Sequence, residues 1–253
     1  MARVILWSSH RCASTAVERS IRELEKVKVV HEPNCMAFFG EDGSLRNVED
    51  PMFEAKRNYI LSQSKLSRSE RYEHIFIKDL AYYVRGSFDE FIRGEFANFT
   101  HTFLIRDPTA VAPSIQRVCK AQDGEVPFFT DTLGFEEMYN MYETVKNNSN
   151  SKPLIIAAED IFDAPRETME MYCRETGLPF SESMLTWEPK VFPEWKQYPN
   201  YELWFGSVMT SSGFLKHTAG KMGKSSEPLL PELEVALKKA MPYYEKLNSL
   251  RTV

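Results

Sequence analysis

Short apolar runs alternate with longer amphipathic segments along this chain, and that alternation limits the fold more than any other feature. Runs with the length and composition of buried strands lie at residues 3–7, 27–31, 75–78, 102–105 and 154–157. Helical spacing of apolar residues occurs at 14–24, 51–66, 88–96, 109–120, 135–147, 165–176 and 230–250. The alternation predicts an α/β fold with a mostly parallel central sheet and helices on both faces.

The length and charge of the chain limit its organisation and its partners. With 253 residues it suits a single domain over 1–253, in which 179–228 forms an irregular capping segment and 229–253 a C-terminal helix. The net charge of −5 argues against a general nucleic-acid binder, which is usually basic. No apolar run is long enough for a membrane span or a signal peptide, so we expect a cytoplasmic protein.

The four cysteines are scattered through the sequence. Cys12, Cys35, Cys119 and Cys173 form no C-x-x-C pair, and no cluster of metal ligands is visible, so we expect no metal site.

Residues 8–15 connect the first predicted strand to the first predicted helix and consist mainly of small and hydroxyl residues. Such a loop presents free backbone N–H groups at a helix N-terminus, where the dipole favours an anion, and Arg11 adds a permanent charge. The loop lacks the G-x-x-x-x-G-K-[ST] spacing of triphosphate-binding proteins, which disfavours a kinase. Taken alone, it fits an ordinary helix capped by serine or threonine better than a phosphate site.

A second polar junction follows the strand at 102–105. Arg106 ends that strand, Pro108 suits the start of a helix, and Ser114 follows eight residues after Arg106. An arginine at a strand end and a serine on the next helix can bind the same phosphate. The alternative is that Arg106 pairs with Asp107 or with another carboxylate.

Together, in this order and at this separation, the two junctions resemble the phosphate-binding signatures of the PAPS-dependent sulfotransferase superfamily, where PAPS is 3′-phosphoadenosine 5′-phosphosulfate. The family loop P-[KR]-S-G-[ST]-T aligns with residues 10–15, but His10, Cys12 and Ala13 replace its proline, serine and glycine. The segments 158–165 and 177–180 also resemble the family. The resemblance covers most of 3–187 and implies a three-layer fold like that of P-loop nucleotide triphosphatases.

The resemblance assigns residues to the donor. It implies that the first loop binds the 5′-phosphate side of PAPS and that Arg106 and Ser114 bind its 3′-phosphate, with PAP as the product. The loop residues concerned are Ser9, His10, Arg11, Cys12, Ala13, Ser14 and Thr15. A late segment with Ser212, Gly213, Phe214 and Lys216 loosely matches the loop that closes over the donor, although a solvated loop is the alternative.

The same resemblance implies transfer of a sulfuryl group to a hydroxyl of a small molecule. Arg11 is then expected to stabilise charge on the leaving phosphate, and a general base must remove the acceptor proton. We rank Glu32 first, Asp79 second and His31 third, and we expect His31 and Glu32 to face opposite ways if the strand alternation continues. Lys78 matches a lysine of the steroid and phenol branch, but Leu80 stands where that branch has its histidine.

The acceptor itself is not determined by these residues. Tyr82, Tyr83 and Trp204 are candidates to line its site and would suit a sterol, a phenol or a sugar, although aromatic side chains more often belong to the core. Two other functions stay open: a non-catalytic nucleotide- or anion-binding protein with an altered loop, and a P-loop kinase. We expect no nucleic-acid partner, and the sequence allows a homodimer.

Overall fold

The strands of the protein form a parallel sheet, as the alternation predicts. The computed structural model describes residues 1–38, 58, 72–122, 131–149, 152–198, 200–214 and 227–252. Five strands lie in the order β2-β3-β1-β4-β5, and every neighbouring pair is parallel. Their bounds are β1 Arg3–Ser8, β2 Val27–His31, β3 His74–Leu80, β4 Thr100–Ile105 and β5 Leu154–Ala157.

The helices connect and cover these strands. In chain order they are α1 Ser14–Ile21, α2 Pro33–Phe38, α3 Pro108–Ala121, α4 Phe135–Asn148, α5 Ala158–Asp163, α6 Pro165–Thr176, α7 Tyr201–Met209 and α8 Pro231–Ser249. Successive side chains of a strand point to opposite faces. In β1, Val4, Ile5, Leu6 and Trp7 are all fully buried, so both faces of the sheet are covered at its centre. The predicted α/β class is therefore confirmed.

Three predicted elements differ from the structure. The first helix ends at Ile21 rather than at residue 24. The helix predicted over 88–96 is instead two 3₁₀ segments, Phe88–Ile92 and Gly94–Asn98, because Gly94 takes a φ of 57° that an α-helix does not tolerate. The capping segment contains the helix α7, which its composition did not predict. The helix predicted over 51–66 falls, apart from Asn58, outside the described residues.

The capping segment is fastened to α1 by arginine side chains. The Arg22 guanidinium lies 4.3 Å from the ring centre of Phe192, and Arg19 lies 5.4 Å from the same ring. Arg19 also donates to the carbonyl of Glu188 at 3.0 Å, and Ser20 Oγ donates to the carbonyl of Met184 at 2.7 Å. These contacts hold the capping segment against the C-terminal end of α1.

The turn between β1 and α1 requires two left-handed residues. Arg11 has a φ of 61° and Ala13, the N-cap of α1, a φ of 68°. The left-handed conformation costs a residue with a Cβ atom roughly 1–2 kcal/mol of conformational free energy, whereas it costs glycine almost nothing. Ala13 therefore adopts this turn at a cost in conformational free energy.

We expect Ala13→Gly to raise the free energy of unfolding by about 1 kcal/mol, because glycine adopts the left-handed conformation without strain. Ala16→Gly, three residues later within α1, is the matched control and should lower it by roughly 1 kcal/mol. Urea denaturation of both variants measures the two changes. Destabilisation by both substitutions would contradict the left-handed turn.

Gly213 makes a close backbone approach within the capping segment. It forms an isolated antiparallel bridge with Thr186, and a Cβ atom there would lie 2.7 Å from the carbonyl oxygen of Leu185. We expect Gly213→Ala to destabilise the protein by about 1–3 kcal/mol, because this bridge must separate. Gly206→Ala in α7, where a Cβ atom meets nothing within 4 Å, should be neutral or stabilising. Equal melting temperatures for the two variants would contradict the expectation.

Candidate functional site

The carboxyl ends of β1, β2, β3 and β4 bring the predicted site residues to one edge of the sheet. In parallel α/β sheets this edge is where ligands bind. The loop after β1, Glu32 after β2, Lys78 and Asp79 at the end of β3, and Arg106 after β4 all lie there. Two residue groups result, one around Arg11 and one around Glu32.

Arg11 joins the two predicted phosphate motifs. Its Nε donates to Ser114 Oγ on α3 at 2.9 Å, and its backbone carbonyl accepts a hydrogen bond from Arg106 at 3.0 Å. A terminal nitrogen of Arg11 donates to the carbonyl of Trp204 on α7 at 2.5 Å. The side chain therefore connects the first loop, the second motif and the capping segment.

Three guanidinium groups gather at this point. Burial, and then the charges of Arg117 and Arg106, lower the pKa of Arg11 to about 10. Burial and the charge of Arg106 also lower the pKa of Arg117. Within the described ranges no carboxylate forms an ion pair with any of the three. Such a cluster is suited to bind an anion, because an anion would relieve the repulsion between its members.

Arg117 was not identified from the sequence. It lies three residues after Ser114 on α3, so the two side chains occupy the same face of that helix. This spacing is the signal that could have revealed it once Ser114 had been singled out.

The remaining residues of the first loop are held by packing. Ser9 Oγ donates to the carbonyl of Leu133, and His10 Nε2 lies 3.1 Å from the hydroxyl of Tyr83. Burial lowers the pKa of His10 to about 3, so its ring is neutral at pH 7. Burial likewise raises the pKa of the Cys12 thiol to about 12, so Cys12 is a core residue and not a nucleophile. Ser14 and Thr15 begin α1.

Glu32 and Lys78 form a buried ion pair at the ends of β2 and β3. Lys78 Nζ donates to Glu32 Oε1, and also to Thr15 Oγ1 at 3.2 Å. Glu32 has a φ of 38°, and its N–H donates to the carbonyl of Lys78 at 2.7 Å. Burial disfavours the charge of Glu32, but Lys78 and then His31 hold the pKa of its carboxyl below the ordinary value. Glu32 is therefore ionised at neutral pH.

His31 is placed beside Glu32 by this backbone geometry. The two side chains do not face opposite ways, because the strand alternation stops at the left-handed Glu32, and His31 Nε2 lies 3.9 Å from Glu32 Oε2. On its other side, His31 Nδ1 lies 2.5 Å from Oε2 of Glu18 on α1. The sequence did not reveal Glu18, which with Arg22 four residues later has the spacing of a surface ion pair.

Both carboxylate oxygens of Asp79 accept hydrogen bonds from other groups of the protein. Its Oδ2 accepts from the N–H of Asn34 at 2.8 Å and from the Asn34 side chain at 2.7 Å. Its Oδ1 accepts from the N–H of Leu80 at 2.8 Å. Burial raises the pKa of Asp79 to about 6 against these donors. The carboxyl thus holds the start of α2 against the end of β3.

The aromatic and late-segment candidates have different surroundings. Tyr82 is half-buried, and the Arg85 guanidinium lies 4.1 Å from the centre of the Tyr82 ring. The same ring contacts the ring of His10 edge-on. Phe214 packs edge-on against the ring of Trp187, and the backbone N–H of Trp187 donates to the carbonyl of Ser212 at 3.2 Å. Lys216 lies outside the described residues.

Neither a metal centre nor a membrane segment is found in the described part of the chain. No three histidine, cysteine, aspartate or glutamate side chains there are close enough to hold an ion. Each helix there is too short or too polar to cross a bilayer.

Comparison with curated sequences gives distant relatives. Branched-chain-amino-acid aminotransferase-like protein 2 of Arabidopsis thaliana is 25% identical over 223 residues, covering 82% of this chain and 35% of that protein. A second protein of the same description from that plant is 27% identical. The chain thus spans about a third of the length of the curated relatives it matches.

Comparison with solved structures and family models identifies the fold and the family. The sulfotransferase domain of the Synechococcus PCC 7002 olefin synthase has a TM-score of 0.55 at 14% identity, covering 97% of this chain and 94% of that one. A sulfotransferase from Alicyclobacillus acidocaldarius also has a TM-score of 0.55, at 11% identity, covering 100% of this chain and 98% of that one. The family model described as a sulfotransferase domain matches residues 2–251. This chain belongs to the sulfotransferase domain family.

Proposed function

We propose that the protein transfers a sulfuryl group from PAPS to a hydroxyl of a small molecule. The observation that carries this proposal is the contact of Arg11 with both Ser114 and Arg106, close enough to Arg117 to feel its charge, while no described carboxylate forms an ion pair with any of the three arginines. A donor with phosphates at its 3′ and 5′ positions supplies charges of the required sign. When bound, PAPS provides the activated sulfuryl group, and the protein contributes positioning and charge stabilisation.

The two sides of this arginine group suit different parts of the donor. The N–H groups at the very start of α1 suit the 5′-phosphate side together with Arg11, Ser14 and Thr15. Arg106, Ser114 and Arg117 suit the 3′-phosphate. Arg11 bridges the two, which supports its role in stabilising charge on the leaving phosphate.

Glu32 is the preferred general base. It is ionised, it lies at the same sheet edge as Arg11, and its Oε2 is not used by Lys78. Asp79 is less suited, because both of its oxygens already accept hydrogen bonds from the chain. Tyr82, Tyr83 and Trp204 remain candidates to contact the acceptor, with His10 and Cys12 as supports of the loop.

Binding of adenosine 3′,5′-bisphosphate (PAP) tests the donor site without any knowledge of the acceptor. A hydrogen bond to a charged group contributes about 1.5–3 kcal/mol. We therefore expect Arg106→Ala to weaken PAP binding by roughly 10–100-fold, and Arg117→Ala to weaken PAP binding by less. Affinity for adenosine 5′-phosphate should change little, because that ligand has no 3′-phosphate. Isothermal titration calorimetry measures these affinities.

Arg93→Ala is the control for this experiment, because Arg93 is 75% exposed and pairs with Asp89 within its own turn. Equal affinity of the wild type for both nucleotides would contradict the proposal. A preference for ATP would favour a kinase, and tight PAP binding without any transfer would favour a non-catalytic binding protein.

Removal of the proposed base should affect transfer and not donor binding. We expect Glu32→Gln to slow release of sulfate from ³⁵S-labelled PAPS, which is transfer to water, by roughly 10²–10⁴-fold, with PAP affinity within about twofold. Glu73→Gln removes an exposed carboxylate paired with Lys26 and should leave the rate unchanged. An unchanged rate in Glu32→Gln would exclude Glu32 as the base.

A further inference from the structure

His31 and Glu18 form a buried pair behind the carboxyl of Glu32. Both side chains of this pair have no exposed surface, and they meet at 2.5 Å through Nδ1 and Oε2. The other oxygen of Glu18 accepts from Arg22 Nε at 2.9 Å, and Arg22 in turn pairs with Glu194. A continuous row of charged and polar groups therefore runs from Glu32 to the capping segment.

The pairing with Glu18 fixes which nitrogen of His31 carries hydrogen. Burial disfavours the charge of Glu18, but His31 and Arg22 hold the pKa of its carboxyl well below the ordinary range, so it is an ionised acceptor. Nδ1 must then donate to it, and the lone pair of the neutral ring is left on Nε2. That arrangement resembles the orientation of a histidine by a buried carboxylate in other enzymes.

Nε2 of His31 has no hydrogen-bond partner among the described residues although it is fully buried. A buried polar atom without a partner is costly, so its retention requires an explanation. The nearest carboxylate oxygen is Glu32 Oε2 at 3.9 Å, and a movement of less than about 1 Å would bring the two atoms within hydrogen-bond distance. This oxygen is also the one that Lys78 leaves unused.

We propose that His31, oriented by Glu18, is a positioning residue that takes up the proton collected by Glu32. The inference rests on the function proposed above. As the acceptor oxygen bonds to sulfur and the sulfur–oxygen bond to the donor phosphate breaks, the acceptor proton moves to Glu32 Oε2. Glu32 then passes it to the lone pair of Nε2, which restores the carboxylate and leaves an imidazolium facing Glu18. The proton returns to solvent after the products leave.

The relay compensates for a weakness of Glu32 as a base. A carboxylate held ionised by Lys78 has little affinity for a proton, whereas an imidazole next to a carboxylate has more. The titratable groups that surround the pair from the neighbouring elements are Glu18 on α1 and Arg22 at its C-cap, Lys78 and Asp79 on β3, Cys35 on α2 and Tyr198 before α7. Lys78 opposes an imidazolium, and Glu18 and Glu32 favour it.

The pH dependence of single-turnover sulfate release from labelled PAPS tests the relay. We expect His31→Gln to slow the reaction by roughly 10–100-fold at pH 7 and to change the pH profile of the rate, because the proton acceptor behind Glu32 is lost. Glu18→Gln should also change the profile, because the carboxylate that orients His31 becomes a neutral amide. PAP affinity should stay within about twofold in both variants.

Two control variants separate the relay from general structural loss. Glu23→Gln breaks the ion pair between Glu23 and Arg19 of α1 without touching His31, and His101→Gln removes a buried histidine that accepts from Trp7 Nε1 at 3.0 Å. Neither should change the rate or its pH profile. An unchanged rate and profile in His31→Gln, or the same rate loss in His101→Gln, would overturn the inference.

An NMR comparison tests the coupling even where the wild type transfers no sulfate. The ring signals of His31 in the donor-free protein should differ between Glu32→Gln and the wild type at one fixed pH, because a negative charge 3.9 Å from Nε2 has been removed. Identical His31 ring signals in the two proteins overturn the relay. Absence of PAP binding and of transfer by the wild type overturns the proposed function instead, so the two failures are distinguishable.

Discussion

Lys78 carries its charge on a side chain that is 1% exposed, held between the carboxylate of Glu32 and the hydroxyl of Thr15. Taking such a pair out of water costs several kcal/mol per ion, and loss of one partner typically costs about 3–5 kcal/mol. The pair ties together the ends of β2 and β3 and the first turn of α1. Since the first loop lies between β1 and α1, the pair supports the side of the loop that joins α1.

The residues in which the first loop departs from the family pattern have roles of their own. His10 packs edge-on against Tyr83 and Cys12 enters the core, so both act through burial. Ala13 takes a left-handed backbone conformation, which glycine adopts without strain. Of the three residues that match the pattern, Arg11 and Thr15 contact Ser114 and Lys78, and Ser14 begins α1. The loop therefore keeps polar contacts with the second motif and with β3 despite its three departures.

The strands were predictable because their signal is local. In β5, for example, four consecutive buried residues read as a strand without reference to the rest of the chain. The partners of the site were not predictable in the same way. Glu18 looks like a surface residue because its i,i+4 relation to Arg22 is visible in sequence, whereas its contact with His31 spans 13 residues and depends on how α1 packs on β2. The left-handed backbone of Glu32 ended the expected alternation of side chains. It was likewise not predictable, because a glutamate followed by a proline does not indicate that conformation.

The strand order has a consequence for how the chain reaches its native state. β1 occupies the middle of the sheet, yet its first partner, β3, begins about 70 residues later, and β4 follows only after that. During synthesis β1 therefore has no neighbouring strand until β3 is made, and its second edge stays unpaired until β4 follows. Long sequence separation between contacting residues slows folding and lengthens exposure of such surfaces. The strand that precedes the first loop is thus the part of the sheet most in need of protection from aggregation while the protein is being made.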